Sequence, residues 1–517
     1  MFNRILISKI VPVFIILMSL FTGVIPTQSE SLTNQPNNSG DLFWAKGIGG
    51  AYYDIANAIT VDSDGNVYIT GGFRGTVDFD PGAGIFNLSC GILYDDIFVL
   101  KMDSSGNFVW AKRMGGLHDD MGYGIAVDSN GYVYTVGSFE SNSYFFADFD
   151  PGSGKYILVG AGGVDIFVSK LDSNGDFVWA KSLGGGDYDE GYGIALDSSG
   201  NIYTTGYFRN TADFDPGTGT HNLTSAGYDD IFVSKLDNGG NFIWAKQLGG
   251  PNEYSAYSDE GHGIAVDTSG NVYTTGSFVN TADFDPGADK FDLISVGSSD
   301  IFISKLDSNG DFVWAKGMGG TEPDEGQGIV LDSNGDVFTT GYFRVTADFD
   351  PGTGTYNLTS AGYGDIFVSK LDGNGGFVWA RNMGGSDRDE GMSITIDSMG
   401  NVYTTGLIND TADLDPGTGT FYLTDARIFV SKLDSNGDFA GAINMGGVSV
   451  YDLGCGIAVD SSGNVHTTGS YWGTNDFDPG EGIFNLTSAG KSDIFVSKIE
   501  INFVRYMNYL PVILGNK

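Results

Sequence analysis

The sequence predicts an all-β fold, a seven-bladed β-propeller with four antiparallel strands in each blade. Three observations predict it. The first is a phrase, Asp78-Phe79-Asp80-Pro81-Gly82, that returns at Asp148, Asp213, Asp283, Asp348, Asp413 (with Leu414 for Phe) and Asp476. The spacings are 70, 65, 70, 65, 65 and 63 residues. A long repeat of this kind marks a protein built by stacking one supersecondary unit. The second is the interior of each unit, which holds four short runs rich in Ile, Val, Phe, Tyr and Thr, bounded by Gly/Asn/Asp clusters. The third is glycine. At 80 of 517 residues it is about twice as frequent as usual and has no collagen period, so many tight turns join many short strands.

The unit at 193–250 shows the elements in order. Gly193 to Asp197 is a short apolar strand, and Ser198 to Asn201 is a turn. Ile202 to Phe208 runs back as a second strand. A long polar loop carries Asp213-Phe-Asp-Pro-Gly217 and Asn222-Leu-Thr224. Asp230 to Leu236 is a third strand, Asn238 to Gly240 turns the chain, and Asn241 to Gln247 is a fourth. A period near 65 residues exceeds the roughly 40–50 of common propeller repeats, and the surplus lies in the loop between the second and third strands. First strands are expected to begin near Ala58, Gly124, Gly193, Gly263, Gly328, Ser393 and Gly456. The last unit has a third strand, Asp493 to Ile499, but no fourth. Phe43 to Gly50 is a fourth strand with nothing before it. It is expected to complete the seventh blade and close the ring, which removes open sheet edges.

The units resemble the bacterial SBBP β-propeller repeats. The matching words are Gly122-Tyr-Gly-Ile-Ala-Val-Asp128 with Tyr132-Val-Tyr-Thr-Val-Gly137, and Gly263-Ile-Ala-Val-Asp-Thr-Ser-Gly-Asn-Val-Tyr-Thr-Thr-Gly276. The resemblance covers about residues 43–499. It implies a secreted or surface propeller and supplies no catalytic residues to transfer.

Composition bounds the partners. Lys+Arg is 26 and Asp+Glu is 65, a formal charge of −39. Such a surface repels nucleic acid and anionic membranes and favours cations or basic partners. Arg4 and Lys9, the apolar run Ile10 to Phe21, and small Thr27 and Ser29 read as a signal peptide over residues 1–29. An uncleaved anchor is the alternative. A polar linker over 30–42, the propeller over 43–499 and a tail over 500–517 follow. The mature chain is expected to be secreted or held at the cell surface, a monomer with no membrane span. Two cysteines do not make a disulfide framework. Cys90 and Cys455 fall in blades that meet if the ring closes, and a bridge between them is a hypothesis.

Repetition sorts the candidate sites, because geometry recurs in every blade and an active site should occur once. The Asp-Phe-Asp-Pro-Gly loops offer paired carboxylates, such as Asp78 with Asp80, Asp148 with Asp150 and Asp213 with Asp215. Each pair could share a Ca²⁺ ion, but its recurrence favours loop architecture. Ahead of each first strand stands one aspartate: Asp54, Asp120, Asp189, Asp259, Asp324, Asp389 and Asp452. Glu190, Glu260, Glu325 and Glu390 follow four of them. An acidic ring around one channel mouth is expected, with capping of the loops as the plainer role. A few residues on, the position varies: Asn57, Tyr123, Tyr192, His262, Gln327, Met392 and Cys455. Variation on a regular frame suits a binding surface. Six tryptophans (Trp44, Trp110, Trp179, Trp244, Trp314 and Trp379) mark fourth strands and are expected in packing, with Ala440 in the sixth unit's place. Trp472 is different. It stands where other units have Arg74, Arg209 and Arg344, and could stack on a sugar. Those arginines are expected to pair with loop carboxylates.

His118, His221, His262 and His466 lack metal-ligand spacing, and no nucleophile elbow or phosphate loop is present. Three functions fit. The first is a non-catalytic scaffold binding an extracellular protein, glycan or cation through an acidic loop face. The second is a carbohydrate-active hydrolase or lyase using mouth carboxylates. The third is a structural cell-surface component. No cofactor beyond Ca²⁺ is expected.

Overall fold

The computed structural model describes residues 40–141, 146–252, 258–424 and 427–501. The expected signal peptide, most of the linker and nearly all of the tail lie outside them. Every regular element among the described residues is a β-strand, and no helix there is long and apolar enough to cross a membrane. The protein is all-β and propeller-like.

The third unit illustrates the build. Its strands Glu190–Leu196, Ile202–Asp213, Asn222–Leu236 and Phe242–Leu248 pair in sequence, each antiparallel to the next. The second strand from Ile202 to Phe208 and the third from Asp229 to Leu236 are buried at every position, and Asp-Xaa-Xaa-Gly turns reverse the chain. Gly200 takes a φ of 76° at such a turn, a left-handed conformation that costs glycine nothing. First strands begin about three residues earlier than the sequence suggests. A β-bulge between Gly191 and Gly193 lets pairing continue to Glu190, and bulges at the same place recur in the other units.

The last meander joins the two ends of the described chain. Leu453–Val459, Val465–Tyr471 and Asp493–Ile501 are followed in space by Gly40–Gly50, with Ala45 opposite Ser497. This strand starts at Gly40 rather than Phe43, because Gly40 pairs with Ile501. Each first strand lies against the first strand of the next unit, and Leu453–Val459 lies against Ile55–Val61.

The phrase that counts the units forms an extra hairpin. Thr76–Asp78 pairs with Asn87–Ser89, and Asp78 pairs with Gly49 at the end of the preceding fourth strand. The same Gly–Asp pairing recurs at Gly115 and Asp148, Gly184 and Asp213, Gly249 and Asp283, Gly319 and Asp348, Gly384 and Asp413, and Gly446 and Asp476. Its Phe is a core residue. Phe214 is fully buried, edge-on to Phe208 at 5.5 Å and tilted on Phe232 at 5.0 Å. The tryptophans bridge units; Trp244 donates its Nε1 hydrogen to Ser308 O of the next unit's turn at 3.2 Å. The residue in this register in the sixth unit is Gly441, opposite Lys432, and not Ala440.

Candidate functional site

The aspartates ahead of the first strands are all fully buried. Each fastens two pieces of backbone. Asp189 Oδ2 accepts the Gly185 N–H at 2.6 Å and Oδ1 accepts the Arg209 N–H at 2.9 Å. Equivalent pairs of bonds hold Asp54, Asp120, Asp259, Asp324, Asp389 and Asp452. Of the two roles the sequence offers, a ring of exposed acids at the mouth and a cap for each loop, the structure shows the cap: these aspartates are staples, because a loop that leaves one sheet and enters the next has N–H groups that a buried carboxylate can satisfy.

A second carboxylate stands behind most of the staples. Just ahead of the Ile-Phe pair of each third strand stand Asp96, Asp165, Asp230, Asp300, Asp365 and Asp493, all buried, with Arg427 at that position in the sixth unit. Burial pushes these six up to about 6. Burial likewise pushes Asp54, Asp189, Asp324 and Asp389 up to about 7 and Asp259 to about 8, with the neighbouring carboxylate adding to the rise. Two carboxyls in one dry junction favour keeping a proton.

In the Asp-Phe-Asp-Pro-Gly loops one oxygen of each carboxylate is held by backbone. Asp213 Oδ1 accepts the N–H groups of Asp215 and His221, and Asp215 Oδ1 accepts that of Gly217. Asp78 and Asp80, and Asp148 and Asp150, make the same bonds. Among the described residues no group of three or more His, Cys, Asp or Glu is arranged to hold a metal ion.

The variable positions behave differently. Asn57, Tyr123, Tyr192, His262, Gln327, Met392 and Cys455 together line one cavity of about 460 Å³ at the inner ends of the units. One half of this rim is aromatic. Tyr123 meets Tyr192 edge-on at 5.2 Å, and Tyr192 stacks on His262 at 5.4 Å with 10° between the rings. His262 Nε2 stands 3.2 Å from Glu325 Oε1 and 3.7 Å from Glu260 Oε2. Burial opposes charge on the imidazole, but the two glutamates hold it above its ordinary value. Glu325 is drawn below the usual range despite burial, by His262 and by the Tyr342 hydroxyl that donates to Oε2 at 2.9 Å. Burial raises Glu260, Glu190 and Glu390; tyrosines 192, 207 and 123 partly restrain Glu190, and Arg388 restrains Glu390.

Trp472 is 46% exposed and packs edge-on against Tyr451, which leans on Tyr53 at 5.5 Å. This aromatic patch spans the last unit and the first. The sequence reading missed Tyr207, Tyr342, Tyr53 and Tyr451. Tyr207 and Tyr342 occupy a second-strand position that is Gly72, Ser138 and Ser277 in other units, so the comparison that found the rim would also have found them.

Cys90 and Cys455 are both free, which corrects the proposed bridge. Cys90 lies beside Phe73 O in the second-to-third-strand loop, whereas Cys455 faces the inner cavity. Burial pushes both thiols up to about 12.

A profile of the SBBP family, described as a β-propeller repeat, matches residues 44–71, 109–143, 178–207 and 243–277. Each match starts in a fourth strand and runs through the first two strands of the next unit. An uncharacterised WD repeat-containing protein of Acanthamoeba polyphaga mimivirus is 22% identical over 85% of this chain and 37% of its own length. The regulatory protein FlaEY of Caulobacter vibrioides is 27% identical over 27% of this chain and 15% of its own. The chain thus spans well under half the length of these curated relatives. The WD40 β-propeller domain of Doa1 matches 88% of this chain and 96% of its own at 10% identity, with a TM-score of 0.40. A PL25 ulvan lyase matches 78% and 95% at 11% identity, with a TM-score of 0.34.

Proposed function

The chain carries SBBP β-propeller repeats, and we propose that its seven units close into one ring that serves as an extracellular, non-catalytic binding scaffold. The pairing of Gly40–Gly50 with Asp493–Ile501, and the contact of the last first-strand with Ile55–Val61, support closure. One observation carries the binding role. The staples and hairpins repeat almost bond for bond, while the seven side chains that differ converge on one cavity. A rigid frame with a variable rim is how a repeat fold presents a ligand surface. Tyr123, Tyr192 and His262 offer flat faces, and Glu260 and Glu325 offer acceptors, a set suited to a glycan or to a basic protein segment.

A glycan array run beside pull-downs from the native source tests this. Binding that is lost in Tyr192→Ala and His262→Ala, with melting unchanged, supports the rim. Binding insensitive to both would overturn it.

A second reading, a carbohydrate-active hydrolase or lyase, draws on one feature. Glu260 and Glu325 flank His262 with their acidities driven apart, as an acid–base pair requires. Turnover of a polysaccharide that disappears in Glu325→Gln would replace the scaffold with an enzyme.

A further inference from the structure

Arg74, Arg209 and Arg344 occupy one place in three units, each with its N–H on a staple aspartate. Two of them are neutralised. Arg74 grips Asp95 through Nε and Nη2, both at 2.8 Å. Arg209 grips Asp229 in the same way at 2.7 and 3.1 Å. Such two-pronged pairs are the strong form of the contact. In the fifth unit the corresponding residue is Gly364. Arg344 therefore keeps its position and loses its counter-ion. Its buried Nε has no hydrogen-bond partner, and no carboxylate among the described residues lies within ion-pair distance.

The next unit departs from the repeat beside it. Arg427 replaces the aspartate that stands ahead of the third strand's Ile-Phe pair elsewhere; its guanidinium donates to Asn409 Oδ1, and its buried Nε is also unpartnered. Arg388, on the loop between these units, pairs with Glu390 and is about half exposed. The three arginines line one cleft of about 840 Å³. A chain with nine arginines and a charge of −39 has thus gathered three of them in one place. Asp387 and Asp410 share the wall, yet neither forms an ion pair with them.

We propose that this cleft binds an oxyanion, a carboxylate or sulfate group on a small ligand, with Arg344 as its main contact. The anion takes the place that Asp95 and Asp229 fill in the first and third units. Guanidinium matches either group with two parallel hydrogen bonds, and unmade bonds on a buried donor are costly. The inference does not depend on the rim or on what the rim binds.

The test uses the full chain, with calorimetric titration at low salt by sodium glucuronate, by glucose 6-sulfate and by glucose. Saturable binding of either anion, with none of glucose, is expected, and the two anion arms tell carboxylate from sulfate. Arg344→Gln should weaken it about ten-fold or more, the loss of two charge-assisted bonds. Gly364→Asp should do the same by restoring the internal pair. A Cβ at Gly364 would lie 3.7 Å from Arg344 Cγ and 4.0 Å from Arg388 Cγ, which are ordinary contacts, so this variant should melt like the parent. No saturable heat with either anion, or unweakened binding in Arg344→Gln, would overturn the proposal. Binding unchanged in a folded Gly364→Asp would do so as well.

Discussion

Aspartates on the two faces of this molecule do opposite things. On the face of the hairpin turns, Asp197 accepts from the N–H groups of Ser199 and Asn201, the Asn201 side chain and the Tyr203 hydroxyl. Burial works against its charge, but these bonds win and hold it below the usual range. Asp62, Asp267 and Asp460 behave likewise. On the loop face, the staple and its neighbour share a dry junction with fewer donors than lone pairs. Asp165, Asp300, Asp365 and Asp493 each leave Oδ1 without a partner. The same side chain releases its proton readily on one face and holds it to higher pH on the other. The formal charge of −39 therefore overstates the negative charge of the face that carries the rim and the arginine cleft.

The largest effect should come from opening one junction altogether. Deleting Gly40–Gly50 removes the partner strand of Asp493–Ile501, the Gly50 N–H that Asp54 accepts, and the Gly49 partner of Asp78. Several main-chain bonds at about 1 kcal/mol each translate into a melting temperature lower by on the order of 10 °C. An unchanged melting curve would sink ring closure and detach the junction from stability.

Acidity should separate the two faces next. The junction carboxyls have folded values raised to about 6–8 from 3.8. The folded state then binds more protons than the unfolded one between those values, so stability falls as pH rises through about 4 to 8. The turn aspartates are lowered, so their contribution is lost as pH falls below 3.8. Maximum stability is expected near pH 4–5, with melting about 5 °C lower at pH 8. Calorimetric scans across that range check it. A maximum at neutral pH would mean that water or a cation already satisfies the junctions.

Much of this was legible in the chain and some was not. The strand order could be read because short runs rich in Ile, Val, Phe, Tyr and Thr stand between glycine turns, and because the Trp44 segment reads as a fourth strand with no first three before it. The rim could be read because Tyr123, Tyr192 and His262 vary at one register. The burial of Asp189 could not, since a staple and an exposed acid look alike until the loop it closes is known. Nor could the isolation of Arg344. Its fate depends on Gly364, 20 residues away, which faces it only once the second and third strands are paired. The cysteines failed for a related reason. The adjacency of the first and last units could be read, but not that Cys90 sits beside Phe73 O while Cys455 lines the inner cavity.

The finest test of the two-face contrast exchanges one oxygen for an NH₂ group on each face. In Asp197→Asn the new amide meets the Asn201 side-chain amide, a donor facing a donor. About 1 kcal/mol, or about 2 °C, should be lost at neutral pH. In Asp165→Asn the new amide can replace the unpartnered Oδ1. That oxygen and Asp189 Oδ2 converge on the same space beside Gly184, so the amide can donate to Asp189. It also removes one of two like charges from a buried site. A gain of about 1 kcal/mol is expected at pH 8 and none at pH 4.5, where the acid already carries its proton. The variant should therefore flatten the pH profile as well as raise its alkaline end. Equal losses from both substitutions, with the pH profile unaltered, would show that the junction aspartates are ordinary anions.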